Sequence, residues 1–296
     1  MRIGTRGSAL ALAQSGMVQK LLPGGAAILT VIETTGDRNP LASLRRIGGK
    51  GIFTKEIDTA LLEGRIDLAV HSLKDMETVL PPGLAIGCVL PRDDPRDALV
   101  ARGGAGLADL PPGARIGTAS LRRRAQLLRR RPDLAIVPMR GNVNTRLGKL
   151  DMGEVDALVL ALCGLERLGK ADLASDILSA EAMLPAVGQG ALAVECRGAD
   201  DEVRALLTML HDPDTAACVT SERAMLAALD GSCRTPIAGL ATMDGDRLTL
   251  EALLLSQDGS AERRGQGSGP VADAQGIGTE LGEQLRRGAG PEFGFG

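Results

Sequence analysis

Two short stretches of the chain end in the same chemistry. R-I-G-T-R-G-S at Arg2–Ser8 and R-I-G-T-A-S at Arg115–Ser120 each close an apolar strand on Gly-Thr and open a helix at a Ser. Ser8 and Ser120 read as N-caps, so the orphan N–H groups of each first turn point outward and suit an anion. Arg6 lies in the first turn. Arg122, Arg123 and Arg124 follow the second, where the helix dipole disfavours cations by ~0.3–1 kcal/mol each. These arginines form either a solvated basic face or a carboxylate or phosphate site. The capping Ser favours the second for Arg122 and Arg123, as the turn does for Arg6, and the first suffices for Arg124, Arg129, Arg130 and Arg131. Arg140 and Arg146 flank G-N-V-N-T, another strand-to-helix turn. Arg forks bind carboxylates through paired hydrogen bonds, so Arg on turns of both halves implies a ligand with more than one carboxylate.

H-S-L-K-D at His71–Asp75 follows the apolar strand D-L-A-V. Ligands of α/β sheets bind beyond the carboxyl ends of strands, where Lys74 and Asp75 would lie. They form either a strand-end ion pair or a functional carboxylate with a neighbouring cation. His71 is expected as a hydrogen-bonded strand residue. G-G-K-G at Gly48–Gly51 carries Lys50 but lacks the spacing of a phosphate-binding loop; it is a mobile lid or an ordinary loop. Cys233, in D-G-S-C-R-T-P beside Arg234, sits where a thiolate is favoured. Neither His71 nor His211 lies in a motif that would supply its base. Cys233 therefore reads as an attachment point rather than a turnover nucleophile. Cys88, Cys163, Cys196 and Cys218 read as small core residues.

The elements that must position these residues alternate. Strands are expected at Arg2–Thr5, Ala27–Glu33, Asp67–Ser72, Leu84–Val89, Ala98–Ala101, Arg115–Gly117, Ala135–Pro138, Asp156–Leu160 and Ala191–Cys196. Helices are expected at Ala9–Leu22, Lys55–Gly64, Leu121–Arg131, Val143–Gly153, Asp201–Leu210, Thr215–Leu229 and Ala274–Arg287. This pattern is α/β. E-G-R-I-D-L-A-V at Glu63–Val70 and M-G-E-V-D-A-L-V at Met152–Val159 form a second matched pair, in the same order as the first. Two lobes of similar build facing a cleft follow from this echo, although strand–turn–helix units share such chemistry by chance as well.

Composition excludes several classes. The 296 residues hold no Trp, no Tyr and three Phe, so a stacking surface for single-stranded nucleic acid is absent. Net charge is −3, yet Arg115–Arg146 carries nine Arg against one acid, Asp133. Binding of DNA through that segment is disfavoured by the acidic remainder. No apolar run approaches the ~20 residues of a membrane span. Five Cys without a C-x-x-C pair indicate neither a disulfide framework nor a metal site, and the protein is expected in the cytoplasm with reduced thiols.

The motifs T-R-G-S-A-L-A-L-A-Q, G-G-K-G-I-F-T-K-E, A-V-H-S-L-K-D, D-D-P-R-D-A, G-T-A-S-L-R-R, R-G-N-V-N-T-R-L-G-K-L, L-P-A-V-G-Q-G-A-L and G-S-C-R-T-P-I-A together resemble porphobilinogen deaminase, or hydroxymethylbilane synthase, over most of residues 1–240. The resemblance implies a transferase of porphyrin biosynthesis that condenses four porphobilinogen molecules into hydroxymethylbilane with release of ammonia. It implies a dipyrromethane cofactor joined by a thioether to Cys233, with Lys74, Thr118, Ser120, Arg122, Arg123 and Arg146 as its contacts. It makes Asp75 the catalytic carboxylate and places Arg6, Ser8, Phe53, Arg140, Arg167 and Gln189 on the substrate. The fold it implies is two periplasmic-binding-protein-like α/β lobes, residues 1–90 with 191–208 and residues 95–185, plus a small α/β domain at 213–296. A monomer without metal is expected. Met76-Glu77 stands where many members have Val-Pro, and G-S-C-R-T-P where G-G-C-Q-V-P is commoner. A non-catalytic binder of a small polycarboxylate is the alternative.

Overall fold

A computed structural model describes residues 1–23, 27–38, 54–230 and 235–294. Phe53, Lys50, Cys233 and Arg234 lie outside the described residues. Residues Met1–Arg92 and Ala191–Ala216 make one compact unit, and Asp93–Gly190 with Ala217–Gly296 make another.

The first unit is built on a five-stranded sheet. Its strands are β1 (Arg2–Thr5), β2 (Ile28–Val31), β3 (Leu68–Ser72), β4 (Leu84–Val89) and a late strand, Leu192–Arg197, which lies between β3 and β4. β1 runs parallel to β2 and β3, while the late strand is antiparallel to both its neighbours. Side chains alternate across such strands, so each face needs a cover. Val18 and Leu22, on and just after α1 (Ala9–Leu21), close one face over Ile3, Val70 and Val194, with Leu207 of a helix at Asp201–Thr208. On the other face, Ile57, Ala60 and Leu61 of α3 (Lys55–Leu62) cover Ala69. A short turn of helix, α2, spans Thr35–Arg38.

The second unit repeats this plan. Its strands β5 (Asp97–Ala101), β6 (Arg115–Gly117), β7 (Ala135–Val137), β8 (Ala157–Ala161) and β9 (Asp176–Leu178) lie in the order β7-β6-β8-β5-β9. β6 is parallel to β7 and β8, and β5 is antiparallel to β8 and β9. Helices α4 (Leu121–Arg130), α5 (Val143–Asp151) and α6 (Leu162–Glu166) cover it. Continuing in chain order, the late strand of the first unit is β10 and its helix α7. The echo in the sequence thus extends to topology and to contacts. Arg2 takes Asp67 through its main-chain N–H (2.7 Å) and guanidinium (2.8 Å) and donates to the Gly64 carbonyl. Arg115 makes the same three bonds to Asp156 (2.8 and 2.9 Å) and the Gly153 carbonyl.

The remainder is an antiparallel sheet, β11 (Ile237–Asp244), β12 (Arg247–Leu255) and β13 (Glu262–Pro270), with α8 (Pro213–Ala228) and α9 (Ala274–Arg287). Met225, Leu250, Leu254, Ile277, Leu281 and Phe293 form its core. None of the three strands is predicted from sequence. β13 explains why: where an apolar row is expected it has Gly265, Gly267 and Gly269, over which Ile277 and Leu281 of α9 close, and a Cβ on Gly265 would lie 2.8 Å from Leu281. The α/β class, with two like-built lobes and a small C-terminal domain, is as expected.

Candidate active site

In the first unit, the carboxyl ends of the adjacent parallel strands β1 and β3 carry the candidate residues. Ser8 caps α1, accepting from the Ala11 N–H at 3.2 Å, and Arg6 precedes it. The Arg6 guanidinium is engaged by Asp37 through bonds of 3.2 and 2.6 Å. Burial works to raise the Asp37 pKa, but Arg6 and Thr34 outweigh it and hold the carboxyl below its ordinary value. Asp37 was not singled out from sequence as the partner of Arg6.

Beyond β3 the chain makes a single tight turn, Leu73–Asp75. Its backbone is held three ways. Leu73 N–H donates to the Ala191 carbonyl (3.0 Å), Met76 N–H donates to the Leu73 carbonyl (3.1 Å), and the Leu73 side chain is buried. Gln14 of α1, itself buried, donates to Ser72 Oγ at 2.8 Å and ties the helix to the foot of this turn. Asp75 is exposed, and among the described residues its carboxylate has no hydrogen bond or ion pair. The expected alternative, a strand-end pair with Lys74, is therefore not what forms. His71 is buried on β3, with Nε2 3.1 Å from Glu195 Oε2.

In the second unit the candidate residues converge on one that the sequence reading passed over. Ser120 caps α4, accepting from the Arg123 N–H at 3.3 Å, and its own N–H donates to Thr118 Oγ1. Arg122 and Arg123 were expected to offer forks to an incoming carboxylate; their forks are engaged by Asp97, at the start of β5. Asp97 has no solvent exposure and receives Arg122 Nη2 (2.7 Å), Arg123 Nε (3.1 Å) and Nη2 (2.8 Å), and Gln189 Nε2 (2.9 Å). The remaining Nη1 groups donate to the Leu184 and Val159 carbonyls. Burial pushes the Asp97 carboxyl up, but the two guanidiniums overcome it and hold the group ionised, well below the usual range. Two cations in the first turn of α4 are tolerated because a buried anion neutralises them.

Arg167 is also inward-facing, donating to Asp93 (2.8 Å) and the Gly190 carbonyl (2.6 Å), the two segments where the chain passes between sheets. Arg140 and Arg146 remain part-exposed. Arg146 Nε donates to the Gly141 carbonyl, and Asn142 caps α5 through the Thr145 N–H. Helix N-termini leave most first-turn donors without intrahelical partners; the Ser120 hydroxyl takes only that of Arg123. With Arg140 and Arg146, this donor-rich turn suits a carboxylate-bearing group such as dipyrromethane.

The family model for porphobilinogen deaminase, dipyromethane cofactor binding domain, matches residues 1–205, and that for porphobilinogen deaminase, C-terminal domain, matches residues 216–287. The chain belongs to the porphobilinogen deaminase family. It is 51% identical to the porphobilinogen deaminase of Sorangium cellulosum (strain So ce56), with 97% of this chain and 99% of that one covered. It is 52% identical to that of Paracoccus denitrificans (strain Pd 1222), with 99% and 96% covered. Among solved structures it is similar to an ancestral cationic amino acid solute binding protein, at 15% identity and a TM-score of 0.42, covering 71% of this chain and 87% of that one. Membership of the porphobilinogen deaminase family does not favour the non-catalytic alternative.

Of the residues that the family motifs single out, the structure turns Arg122, Arg123 and Gln189 onto Asp97 and sets Thr118 and Ser120 at the start of α4. It sets Arg6, Ser8, Lys74 and Asp75 just beyond the carboxyl ends of the adjacent strands β1 and β3. A signal for Asp97 was present in D-A-L-V-A at Asp97–Ala101: an acid opening an otherwise apolar strand needs a buried cation. No helix among the described residues is long and apolar enough to cross a membrane.

Proposed function

We propose that Asp75 is the catalytic carboxylate with which this chain joins four porphobilinogen molecules head to tail into hydroxymethylbilane, releasing ammonia. One observation carries the assignment: a carboxylate presented on a braced turn at the carboxyl end of β3, with no partner of its own among the described residues. Departure of ammonia from the aminomethyl group leaves a cation shared with the pyrrole N–H. A fixed carboxylate facing that N–H stabilises the charge as it develops, without reorganising. The same carboxylate takes the proton lost when the newly joined ring regains aromaticity.

The dipyrromethane group supplies the pyrrole carbon that primes the chain and stays on the protein. Cys233 would carry it, and Thr118, Ser120, Arg146 and Lys74 would hold its carboxylates. Arg6, Ser8 and Arg140 would hold the acetate and propionate groups of the substrate, fixing the reacting carbons together. Arg122, Arg123 and Gln189 would serve through Asp97, setting the α4 turn, and Arg167 would set the segments at Asp93 and Gly190. Residues 213–296 would form the cofactor-bearing domain, a reading supported by their own three-stranded sheet, in a monomer of the cytoplasm.

The test pairs two variants. Asp75→Asn holoenzyme, checked by intact mass for its cofactor, should lose turnover by at least about 100-fold; near-parental turnover sinks the assignment. Cys233→Ser should show the mass of the bare chain, and normal loading moves the attachment elsewhere.

A further inference from the structure

The segment that follows Asp75 forms part of a second feature that the reaction does not use. Within the first unit, a cavity of about 370 Å³ lies between α3, β10 and residues 76–81. Asp58 of α3, Glu195 of β10 and Glu77 line it, and Met76, Val79 and Leu80 give it apolar surface.

The acidic lining is more than a surface cluster. Glu195 pairs in register with Ala69, so it shares the sheet face that α3 covers. It is 1% exposed, yet among the described residues neither carboxylate oxygen makes a hydrogen bond; His71 Nε2 lies 3.1 Å from Oε2, an ion-pair distance without hydrogen-bond alignment. Asp58 takes a side-chain hydrogen bond from Thr54, but its Oδ1 is buried without one among the described residues. Burial, reinforced by the charge of Glu195, pushes the Asp58 carboxyl up to about 6. A desolvated carboxylate without a donor is costly. A neutral hydrocarbon in the cavity would leave that cost in place, whereas a cationic head removes it. Among the described lining residues, Lys55 of α3 is the one ammonium beside the three carboxylates of Asp58, Glu77 and Glu195.

We propose that this cavity binds an organic monocation, with an ammonium or amidinium head against Asp58 and Glu195 and a small apolar body against Val79 and Leu80. The site does not depend on the role given to Asp75. Among the described residues, the charged groups facing Asp58 are Glu195 of β10, His71 of β3, Glu77 of the following segment and Lys55 of its own helix. Affinity for a cation therefore rises with pH as Asp58 ionises near pH 6.

Calorimetric titration of the holoenzyme with benzylammonium tests this, with benzyl alcohol as the uncharged match. Saturable 1:1 binding is expected, about tenfold or more tighter for benzylammonium, weakening about tenfold in Asp58→Asn and between pH 7.5 and pH 5. Val79→Lys, at an exposed position where folding is not at stake, places a competing ammonium at the cavity and should weaken binding similarly. Equal binding of the two probes, no saturable binding, or unchanged affinity in both variants overturns the proposal.

Discussion

Asp97 and Arg123 share two hydrogen bonds, 3.1 and 2.8 Å long, that end on a single carboxylate oxygen with no access to solvent. With Arg122 on the other oxygen at 2.7 Å, this pairing locks the start of β5 to the first turn of α4. Breaking a buried pair from one side strands the other side's charge. Asp97→Asn should therefore cost about 3–5 kcal/mol, read as a fall in the urea midpoint. A loss under about 1 kcal/mol would show that the pairing is peripheral to stability.

Acid should act on the same group. Asp97, Asp37, Asp67 and Asp156 are all held below their ordinary values, each by an Arg partner outweighing or adding to the other influences. The unfolded chain then binds more protons than the native one as pH falls below the ordinary carboxylate value of about 4. Stability is fully present above that value and is lost as pH falls through the native ones. The acid limb of a urea-midpoint profile should be flatter in Asp97→Asn than in the parent.

Asp58 has the opposite sign. Its native pKa of about 6 lies above the unfolded value, so the native state holds the extra proton and stability falls as pH rises from about 4 to about 6. Asp58→Asn should be more stable than the parent at pH 7.5 and no more stable at pH 4. Equal midpoint differences at both pH values would remove Asp58 from this role.

Arg140 and Arg122 should separate by phenotype. Losing one charge-assisted hydrogen bond of about 1.5–3 kcal/mol predicts that Arg140→Ala raises KM by about 10- to 150-fold. Arg122→Ala should lower the thermal midpoint instead, since it leaves the Asp97 charge short of a partner. Identical profiles for the two variants would contradict this division.

Packing makes a last prediction, in the C-terminal domain. A Cβ on Gly278 would collide with the Ser221 carbonyl, and one on Gly282 would lie 2.6 Å from that of Met225. Gly278→Ala should destabilise by about 1–3 kcal/mol through overpacking of α9 against α8, although Ala is the better helix former. A more stable Gly278→Ala protein would refute the close approach.

The lobes were legible because their strands are apolar and their helices start at recognisable caps. β1 at Arg2–Thr5, β4 at Leu84–Val89 and α9 at Ala274–Arg287 have the expected bounds, and Ser8 and Ser120 cap as expected. β11 to β13 were not legible. In β13, E-R-R-G-Q-G-S-G-P, the glycines fit against a helix whose approach no local pattern announces. The Asp75 turn was placed correctly as a strand end, but the brace that holds it comes from Ala191, more than a hundred residues away.

Motif spacing by itself determined the family, the α/β class, the internal echo and the identity of the residues able to carry the chemistry. Those are properties of residue type and order, which survive without coordinates. Only the tertiary structure decided which charges are available. Arg122, Arg123 and Gln189 are turned onto Asp97, whereas Asp75 is left facing solvent. Whether an arginine serves a ligand or the chain depends on a carboxylate distant in sequence, and burial makes that partner obligatory because an unpaired charge away from water is too costly to keep.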